Sequence, residues 1–370
     1  MPTLLFQGES DTLFNLNDAA ATYTALRRAG TPVELVWNSG GHGGYDSLPG
    51  ECDVYGRGTG GTDFRGLDSC YLTLRTLAFF DHWLKGQPDH HPGFTYFRDW
   101  APSTGTGPTT QYGDAPAFPL TASRTFTLSG SSDLVSGPGV VGSARVVNPP
   151  GGVPPAYSET SNFTGPSSSP VIPIPPTEVP GQHADFTCSS FPTAVDSVGI
   201  PSLHVRLSHV APTDLVLFGK VYDVAPDGTA TLIHRLIAPF RIPTAALSAP
   251  VDVKLLGFAH RFDAQHRLRL TLAATDATSY NSKVPDVITV ATGADNTLTI
   301  NETTAPTFVK VAKPKIPRGG GSLTPAGQRL PRTGLGALLP LTAVAFLAAG
   351  AALRRRRGTR RNSPLCAERV

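Results

Sequence analysis

The hydrophobic pattern of the sequence changes its period once, near Phe94, and this change divides the chain into two structural types. Before it, short apolar stretches at 3–7 and 33–37 flank an amphipathic stretch at 17–28. Two strands separated by a helix are typical of a parallel pair in an α/β sheet. The first 90 residues are therefore predicted to belong to an α/β domain.

Two helices are expected in this first part. Asn17 or Asp18 is suited to cap the first helix, which should end before Gly30. The second is predicted to begin at Asp68 and to stop at Gly86, with apolar residues along one broad face.

After Phe94 the apolar residues alternate with polar ones, which is typical of half-buried strands. Asp227 and Gly228 form a turn signal between two such strands. Residues 138–180 contain eleven prolines and are predicted to form an irregular excursion. Many short strands without a helical pattern indicate a β-sandwich over residues 91–302. The alternation is clearest in four segments: 125–128, 203–207, 251–255 and 268–272.

The C-terminal end carries the most specific motif. Residues 330–334 read LPRTG, residues 335–353 contain no charge, and four arginines follow. A helix over that apolar stretch would be about 28 Å long, close to the thickness of a bilayer core, and the arginines would stay on the cytoplasmic side.

This order resembles the cell-wall sorting signal of Gram-positive surface proteins. The resemblance implies recognition of Leu330, Pro331, Thr333 and Gly334 by a sortase, cleavage after Thr333, and attachment of Thr333 to peptidoglycan. The alternative is an ordinary C-terminal membrane anchor in which the pentapeptide occurs by chance. In either case, residues 303–334 are predicted to form a Pro/Gly/Lys-rich tether that includes the motif, and residues 354–370 a basic cytoplasmic tail. Both interpretations predict a cell-surface protein.

The first residues have no basic segment followed by an apolar stretch, as a signal peptide requires. Met1 instead precedes an apolar stretch that resembles a buried strand. We therefore expect the chain to be the C-terminal part of a longer exported protein.

The net charge of +3 hides a gradient along the chain. Residues 310–370 hold 13 basic residues against one acidic residue, a net +12, which leaves −9 on residues 1–309. An acidic body excludes binding of nucleic acid through the main surface, because phosphate recognition needs Lys and Arg on the fold.

Asp11 and His42 are the candidate catalytic residues. Each follows a predicted strand, where catalytic loops of an α/β sheet lie, and His42 stands among glycines. A carboxylate can orient an imidazole, which then takes a proton from a serine hydroxyl. Asp11 could instead be a turn residue and His42 an ordinary loop histidine. Asp18 and Asp46 are alternative acids.

The segments LLFQGESDTLFNLNDA and TPVELVWNSGGHGG resemble the Asp and His segments of X-Pro dipeptidyl-peptidases and CocE/NonD-like serine hydrolases. GIPSLHVRLSH and LLGFAHRFDAQHRLRLTLAATD are similar to strands of the jelly-roll domain that follows in those enzymes. The resemblance covers roughly residues 2–300. It implies the C-terminal part of an α/β-hydrolase domain and then a jelly-roll β-sandwich. It also implies that Asp11 is the triad acid, that His42 is the base, that peptide or ester bonds are hydrolysed, and that no cofactor is needed.

The sequence departs from that family in one respect: it contains no G-x-S-x-G, the motif that carries the nucleophilic serine. Whether this chain is itself an enzyme is therefore uncertain, and we expect it to be inactive alone. The alternative is a surface-displayed β-sandwich that binds or adheres without catalysis.

The four cysteines and the adjacent histidines complete the candidates. Cys52 and Cys70 could form a disulfide outside the cell, Cys188 is expected to be buried, and Cys366 lies in the basic tail. No ligand set with metal-binding spacing surrounds His90 and His91, so no metal site is predicted.

Overall fold

A computed structural model provides the structure of the protein. It describes residues 1–41, 71–88, 93–102, 111–157, 177–277 and 281–303. Several predicted features lie outside these ranges: His42, Asp46, Cys52, Cys70, His90, His91, Cys366, the tether beyond residue 303, the LPRTG motif, the apolar stretch 335–353 and the basic tail.

The described ranges form two α-helices and eighteen β-strands. The helices are α1 (Leu16–Arg28) and α2 (Tyr71–Lys85). The strands are β1 (Thr3–Gly8), β2 (Val33–Asn38), β3 (Phe94–Phe97), β4 (Tyr112–Ala115), β5 (Ser123–Ser129), β6 (Asp133–Val135), β7 (Gly142–Asn148), β8 (His183–Cys188), β9 (Val195–Gly199), β10 (Ser202–Val205), β11 (Leu207–His209), β12 (Leu215–Val224), β13 (Ala230–Ile242), β14 (Val251–Lys254), β15 (Phe258–Phe262), β16 (Arg267–Ala273), β17 (Asp286–Thr292) and β18 (Thr297–Asn301).

The first sheet has four strands in the order β1-β2-β3-β4. β1 pairs with β2 and β2 with β3 in parallel, whereas β4 runs antiparallel to β3. α1 connects β1 to β2 and packs its apolar face on the sheet, with Tyr23 and Leu16 in one core with Trp37 and Phe94. The predicted parallel pair with a helical crossover is therefore present.

The first sheet continues beyond residue 90, where the sequence analysis places the end of the first domain. β3 lies beside β2, and β4 extends the sheet to Ala115. The FTYF stretch of β3 is buried on both faces, as a central strand must be. Its four residues are too few to distinguish a parallel central strand from the alternating strands that follow.

The cap of α1 differs from the prediction. Asn15 is the N-cap, and its side chain accepts a hydrogen bond from the N–H of Asn17 at 2.9 Å. Asp18 lies in the first turn, where its charge suits the positive end of the helix. Asn17 is used elsewhere, in a contact with the β-sandwich.

α2 contacts the first sheet through apolar packing of Leu72, a buried ion pair and an aromatic stack. Arg75 is fully buried and donates a hydrogen bond to Glu34 of β2 at 2.8 Å. Tyr71 stacks on Tyr112 of β4 with ring centroids 3.8 Å apart. The helix ends at Lys85, as predicted, and Gly86 adopts a left-handed conformation after it. Its predicted start at Asp68 lies outside the described residues.

The remaining strands form a β-sandwich. One sheet has the order β13-β12-β16-β8-β6-β5-β18-β10-β14, and it faces a three-stranded sheet, β11-β17-β7, and a two-stranded sheet, β15-β9. They share a large core that includes Phe186, Leu217, Leu270 and Val290. Cys188 is buried within this core, as expected.

Two local predictions in the sandwich have different outcomes. Asp227 and Gly228 form the predicted turn between β12 and β13, with the Asp227 side chain accepting from the N–H of Thr229 at 2.8 Å. The irregular excursion predicted from residue 138 contains a regular strand, because Gly142–Asn148 pairs along its full length with β17. Neither described helix is long and apolar enough to cross a membrane.

Candidate active site

The carboxyl ends of β1 and β2 meet at one edge of the first sheet, where the chain turns after β1. The N–H of Glu9 donates to the carbonyl of Asn38 at 2.7 Å, and the N–H of Ser10 donates to the carbonyl of Gly40 at 3.2 Å. Gly8 permits this approach, because a Cβ at that position would collide with the Gly40 carbonyl. The chain after β2 is therefore held against the turn after β1.

Asp11, the predicted triad acid, is buried in this turn with 6% of its surface exposed. Its Oδ1 accepts hydrogen bonds from the N–H groups of Leu13 and Phe14, both at 2.9 Å. Its Oδ2 accepts from the side-chain amide of Gln7 at 3.1 Å. These bonds fix the orientation of the carboxylate, which is what an acid that orients an imidazole requires.

His42, the predicted base, lies outside the described residues, as does Asp46. The described range before His42 ends at Gly41. The preceding residue, Gly40, accepts a hydrogen bond from the Asp11 turn through its carbonyl. Asp18, the other alternative acid, is exposed on α1. Among the described candidates, Asp11 alone combines burial with a position at the carboxyl edge of the sheet.

A second carboxylate in the same turn contacts the β-sandwich. Glu9 is 1% exposed, and its Oε1 accepts from the N–H of Phe97 at 3.2 Å. Its Oε2 lies 3.7 Å from Nε2 of His234. That imidazole nitrogen also lies 2.9 Å from the carbonyl oxygen of Ala259. Burial lowers the pKa of His234 below its ordinary range, because the imidazolium would lose its hydration.

His234 reaches this position through an irregularity in β13. The pairing between β12 and β13 shifts at this point, since Lys220 pairs with Ile237 but Tyr222 pairs with Leu232. His234 and its neighbour Arg235 both have positive φ, at 48° and 60°. The sequence analysis missed both Glu9 and His234, because they are separated by more than two hundred residues and no short motif joins them.

Other histidines of the sandwich pair with aspartates. Asp223 bridges His260 and His266 at 3.1 and 2.9 Å, and Asp286 lies 2.7 Å from His209. The Asp223 carboxylate contacts two imidazoles at hydrogen-bonding distance, which is an arrangement that serves to hold the strands together. Within the described ranges, no group of three or more metal-ligating side chains is placed to hold an ion.

Comparison with known proteins identifies a family pattern in the second part of the chain. Residues 108–309 match the pattern of the X-Pro dipeptidyl-peptidase C-terminal non-catalytic domain. A search of curated proteins finds no match.

Several solved structures are similar to this one. An aminopeptidase from a marine sediment Thaumarchaeota archaeon is 12% identical with a TM-score of 0.56, over 82% of this chain and 55% of that chain. An α-amino acid ester hydrolase is 16% identical with a TM-score of 0.56, over 82% and 56%. A CocE/NonD family hydrolase from Staphylococcus aureus is 15% identical with a TM-score of 0.53, over 82% and 54%.

At these identities the likeness shows the fold, and the present chain spans about half the length of these proteins. The shared fold includes more than the sandwich, since 82% of this chain is more than residues 108–309 alone account for. The family pattern matches residues 108–309, which is more than half of the chain. The chain therefore belongs to the family of the X-Pro dipeptidyl-peptidase C-terminal non-catalytic domain.

Proposed function

We propose that the four-stranded sheet is the C-terminal part of an α/β-hydrolase domain and that the chain serves a serine hydrolase of the X-Pro dipeptidyl-peptidase/CocE type. The observation that carries this proposal is the position of Asp11. It is buried and held by two backbone amides at the carboxyl end of β1, beside the Gly40 backbone that leads towards His42. The similar structures include an aminopeptidase and an ester hydrolase.

In this proposal Asp11 accepts the Nδ1–H of His42 and keeps the other imidazole nitrogen free to act as a base. That nitrogen takes the proton of a serine hydroxyl as the serine attacks a peptide or ester carbonyl. The sequence contains no G-x-S-x-G, so the serine would come from polypeptide beyond these 370 residues. The chain alone would then be inactive, since a triad without its nucleophile retains little catalysis.

We further propose that the protein is displayed at the cell surface. The LPRTG motif, the uncharged stretch 335–353 and the arginines at 354–357 support this, in the order that a sortase substrate requires. Thr333 would be joined to peptidoglycan, and the sandwich would stand outside the cell on the tether that begins at residue 303. The Cys52–Cys70 disulfide belongs to the same proposal, because such bonds persist outside the cell.

The second candidate is a β-sandwich that acts without catalysis, and the family description as a non-catalytic domain favours it. A glycan-binding sheet face usually presents exposed aromatic rings. Across the described parts of residues 111–303, no aromatic side chain falls in the exposed class. This makes a carbohydrate platform the weaker of the two candidates.

The test uses the native polypeptide isolated from producing cells with an antibody against the sandwich. We expect it to be longer than this chain, to react with a fluorophosphonate and to hydrolyse an Xaa-Pro anilide or an aminoacyl ester. Asp11→Asn should lower kcat by about 10⁴-fold, as expected when the orienting acid of a triad is lost. His42→Ala should have an effect of similar size.

Asp18→Asn is the matched control, because it removes an exposed carboxylate seven residues away on α1. Its activity should equal that of the wild type. The purified 370-residue chain should show neither labelling nor turnover. Full activity in the Asp11→Asn protein, or a native polypeptide without a fluorophosphonate-reactive serine, would reject the hydrolase proposal in favour of the second candidate.

A further inference from the structure

The β-sandwich contains a lysine with no exposed side-chain surface between two carboxylates. Lys220 lies in β12, and its Nζ is 2.6 Å from Oε1 of Glu178 and 2.8 Å from Oδ2 of Asp276. The Asp276 side chain is also fully buried, and that of Glu178 is 14% exposed. Tyr222 donates its hydroxyl to the same Glu178 oxygen at 2.8 Å.

The three charged residues come from three different segments. Glu178 precedes β8, Lys220 is in the middle of β12, and Asp276 follows β16. β12 and β16 are neighbours in the sheet, so the lysine and the aspartate approach from adjacent strands. The N–H of Asp276 donates to the side-chain carbonyl of Asn281 at 2.7 Å, which holds the aspartate in place.

Apolar side chains flank Lys220 along β12, and the buried Thr271 of β16 lies opposite it. Phe218 and Tyr222, two residues away on either side, share its face of β12 and belong to one buried apolar group with Ala273 and Ile237. In such surroundings separated charges are costly, because they have lost their hydration. Transfer of one proton from Lys220 to Asp276 gives a neutral amine and a neutral acid and leaves Glu178 as the single charge.

A neutral amine in contact with a neutral carboxylic acid is a reactive pair. With Nζ at 2.8 Å from one carboxyl oxygen, the carboxyl carbon is one bond farther away. Pre-positioned groups at roughly 3–3.5 Å react as if at very high effective concentration. We propose that Lys220 and Asp276 condense to form an intramolecular isopeptide bond.

The step is balanced without a co-reactant. The Lys220 amine attacks Cγ of Asp276, and a C–N bond forms. A C–O bond to the carboxyl hydroxyl breaks. One water leaves, so that an ammonium and a carboxylate become one amide with no change in net charge. No oxidant, reductant or metal takes part.

Glu178 is placed to carry the proton in this step. Its Oε1 contacts Nζ, and its Oε2 has no hydrogen-bond partner among the described side chains and backbone. It can therefore take the proton that the attacking nitrogen sheds and return it to the leaving hydroxyl. Burial and the adjacent Glu178 raise the pKa of Tyr222, so the phenol stays protonated and continues to orient the carboxylate.

The test is the intact mass of the purified, denatured full-length chain. We expect it to be lower, by the mass of one water, than the mass calculated for the unmodified 370-residue chain. Tandem mass spectrometry of a digest should find a branched peptide that joins Lys220 to Asp276. Lys220→Arg and Glu178→Gln should each restore the full mass, whereas Lys283→Arg, which changes an exposed lysine, should keep the branched peptide.

The digest distinguishes the isopeptide bond from another modification that also removes one water. A succinimide at Asp227-Gly228 would lower the mass equally, but it gives no branched peptide and opens in mild base. A wild-type chain of full mass, or one whose missing water maps to residue 227, would reject the isopeptide and leave Lys220 in an ordinary buried ion pair. A branched peptide that persists in Glu178→Gln would reject the proton-carrying role of Glu178.

Discussion

At the scale of single residues, Asn17 connects the two parts of the molecule. Its side-chain NH₂ donates to the carbonyl of Leu255, and its side-chain oxygen accepts from the N–H of Gly257, both at 2.8 Å. The side-chain amide supplies both a donor and an acceptor at this one position. The loop between β14 and β15 is thereby fixed to the first turn of α1.

Replacement of Asn17 should therefore destabilise the protein. We expect Asn17→Ala to lower the free energy of unfolding by about 1–3 kcal/mol, because a backbone carbonyl and a backbone N–H lose their partners. Urea denaturation followed by circular dichroism measures this. Asp18→Ala, next to it on the exposed side of α1, should cost much less, and equal losses in the two variants would contradict the role assigned to Asn17.

The Asp11 turn makes a separate prediction about stability. Asp11→Ala leaves the N–H groups of Leu13 and Phe14 without an acceptor, and we expect a loss of about 1–3 kcal/mol. Asp11→Asn keeps an oxygen that can accept both bonds, so it should cost clearly less. Thermal unfolding of the two variants compares them. An asparagine variant as unstable as the alanine variant would mean that the charge, not the acceptor geometry, holds the turn.

At the scale of elements, the irregularity in β13 should affect how stability depends on pH, and the edge position of β1 should affect its hydrogen exchange. The first brings the imidazole of His234 to the carboxylate of Glu9 in the turn that holds Asp11. The second leaves β1 with one partner, β2, within the described part of the first sheet. The pH dependence of stability tests the first feature, and hydrogen exchange tests the second.

His234 should make stability depend on pH in weakly acidic solution. Burial lowers its pKa in the folded protein, whereas in the unfolded chain it is about 6.5. The unfolded state therefore binds more protons just below that pH, and stability falls as the pH falls through this window. Glu9 and Asp99 oppose this shift, while His260 and Arg235 support it.

The measurement compares wild type with His234→Gln, which keeps a donor for the Ala259 carbonyl and does not titrate. Between about pH 7 and pH 5, we expect the wild type to lose on the order of 1 kcal/mol more stability than the variant. Melting temperatures over this range show the difference. Parallel curves would mean that His234 titrates normally in the folded protein.

The edge strand should exchange its amide hydrogens faster than the centre of the sandwich. Strands with one partner leave alternate backbone groups without a bond inside the sheet. We expect the amides of Leu4 and Phe6 to be less protected than those of Leu270 and Leu272 in β16, which has a strand on each side. Hydrogen exchange read by mass spectrometry tests this. Equal protection would require a partner for β1 beyond the described residues.

At the scale of the whole molecule, the charge gradient follows from the proposed sorting signal. The net +3 of the chain becomes −3 for residues 1–333, because residues 334–370 carry seven basic residues and one acidic residue. A negative body would face solvent after transfer to the wall. The basic residues that remain near its end lie in the tether and the motif.

A sortase supplied with a glycine peptide should convert the chain to a product that ends at Thr333. The product mass should correspond to residues 1–333 plus the peptide, and it should elute later from an anion exchanger than the precursor, because it is more negative. Thr333→Ala should stay uncut. An uncut wild-type chain would favour the alternative of a permanent membrane anchor.

The sequence predicted the strand–helix–strand order of 3–38 and many of the alternating strands, because each depends on side chains a few residues apart. It also indicated Asp11, since a family pattern surrounds that residue. The N-cap of α1 was predicted at Asn17 or Asp18, two or three residues too late, because Asn15, Asn17 and Asp18 all have capping side chains. Only the contact of Asn17 with residues 255 and 257 shows which of them is used elsewhere.

The periodicity, the missing G-x-S-x-G and the charge gradient can be read from the sequence, because they are properties of neighbouring residues or of composition. Tertiary structure decided which strands share a sheet, so that β3 and β4 joined the first sheet and β7 joined β17. It also brought together Glu9 with His234, and Lys220 with Glu178 and Asp276. The physical reason is that these groups meet only after the chain has folded, through backbone pairing and burial that leave no local signature in the sequence.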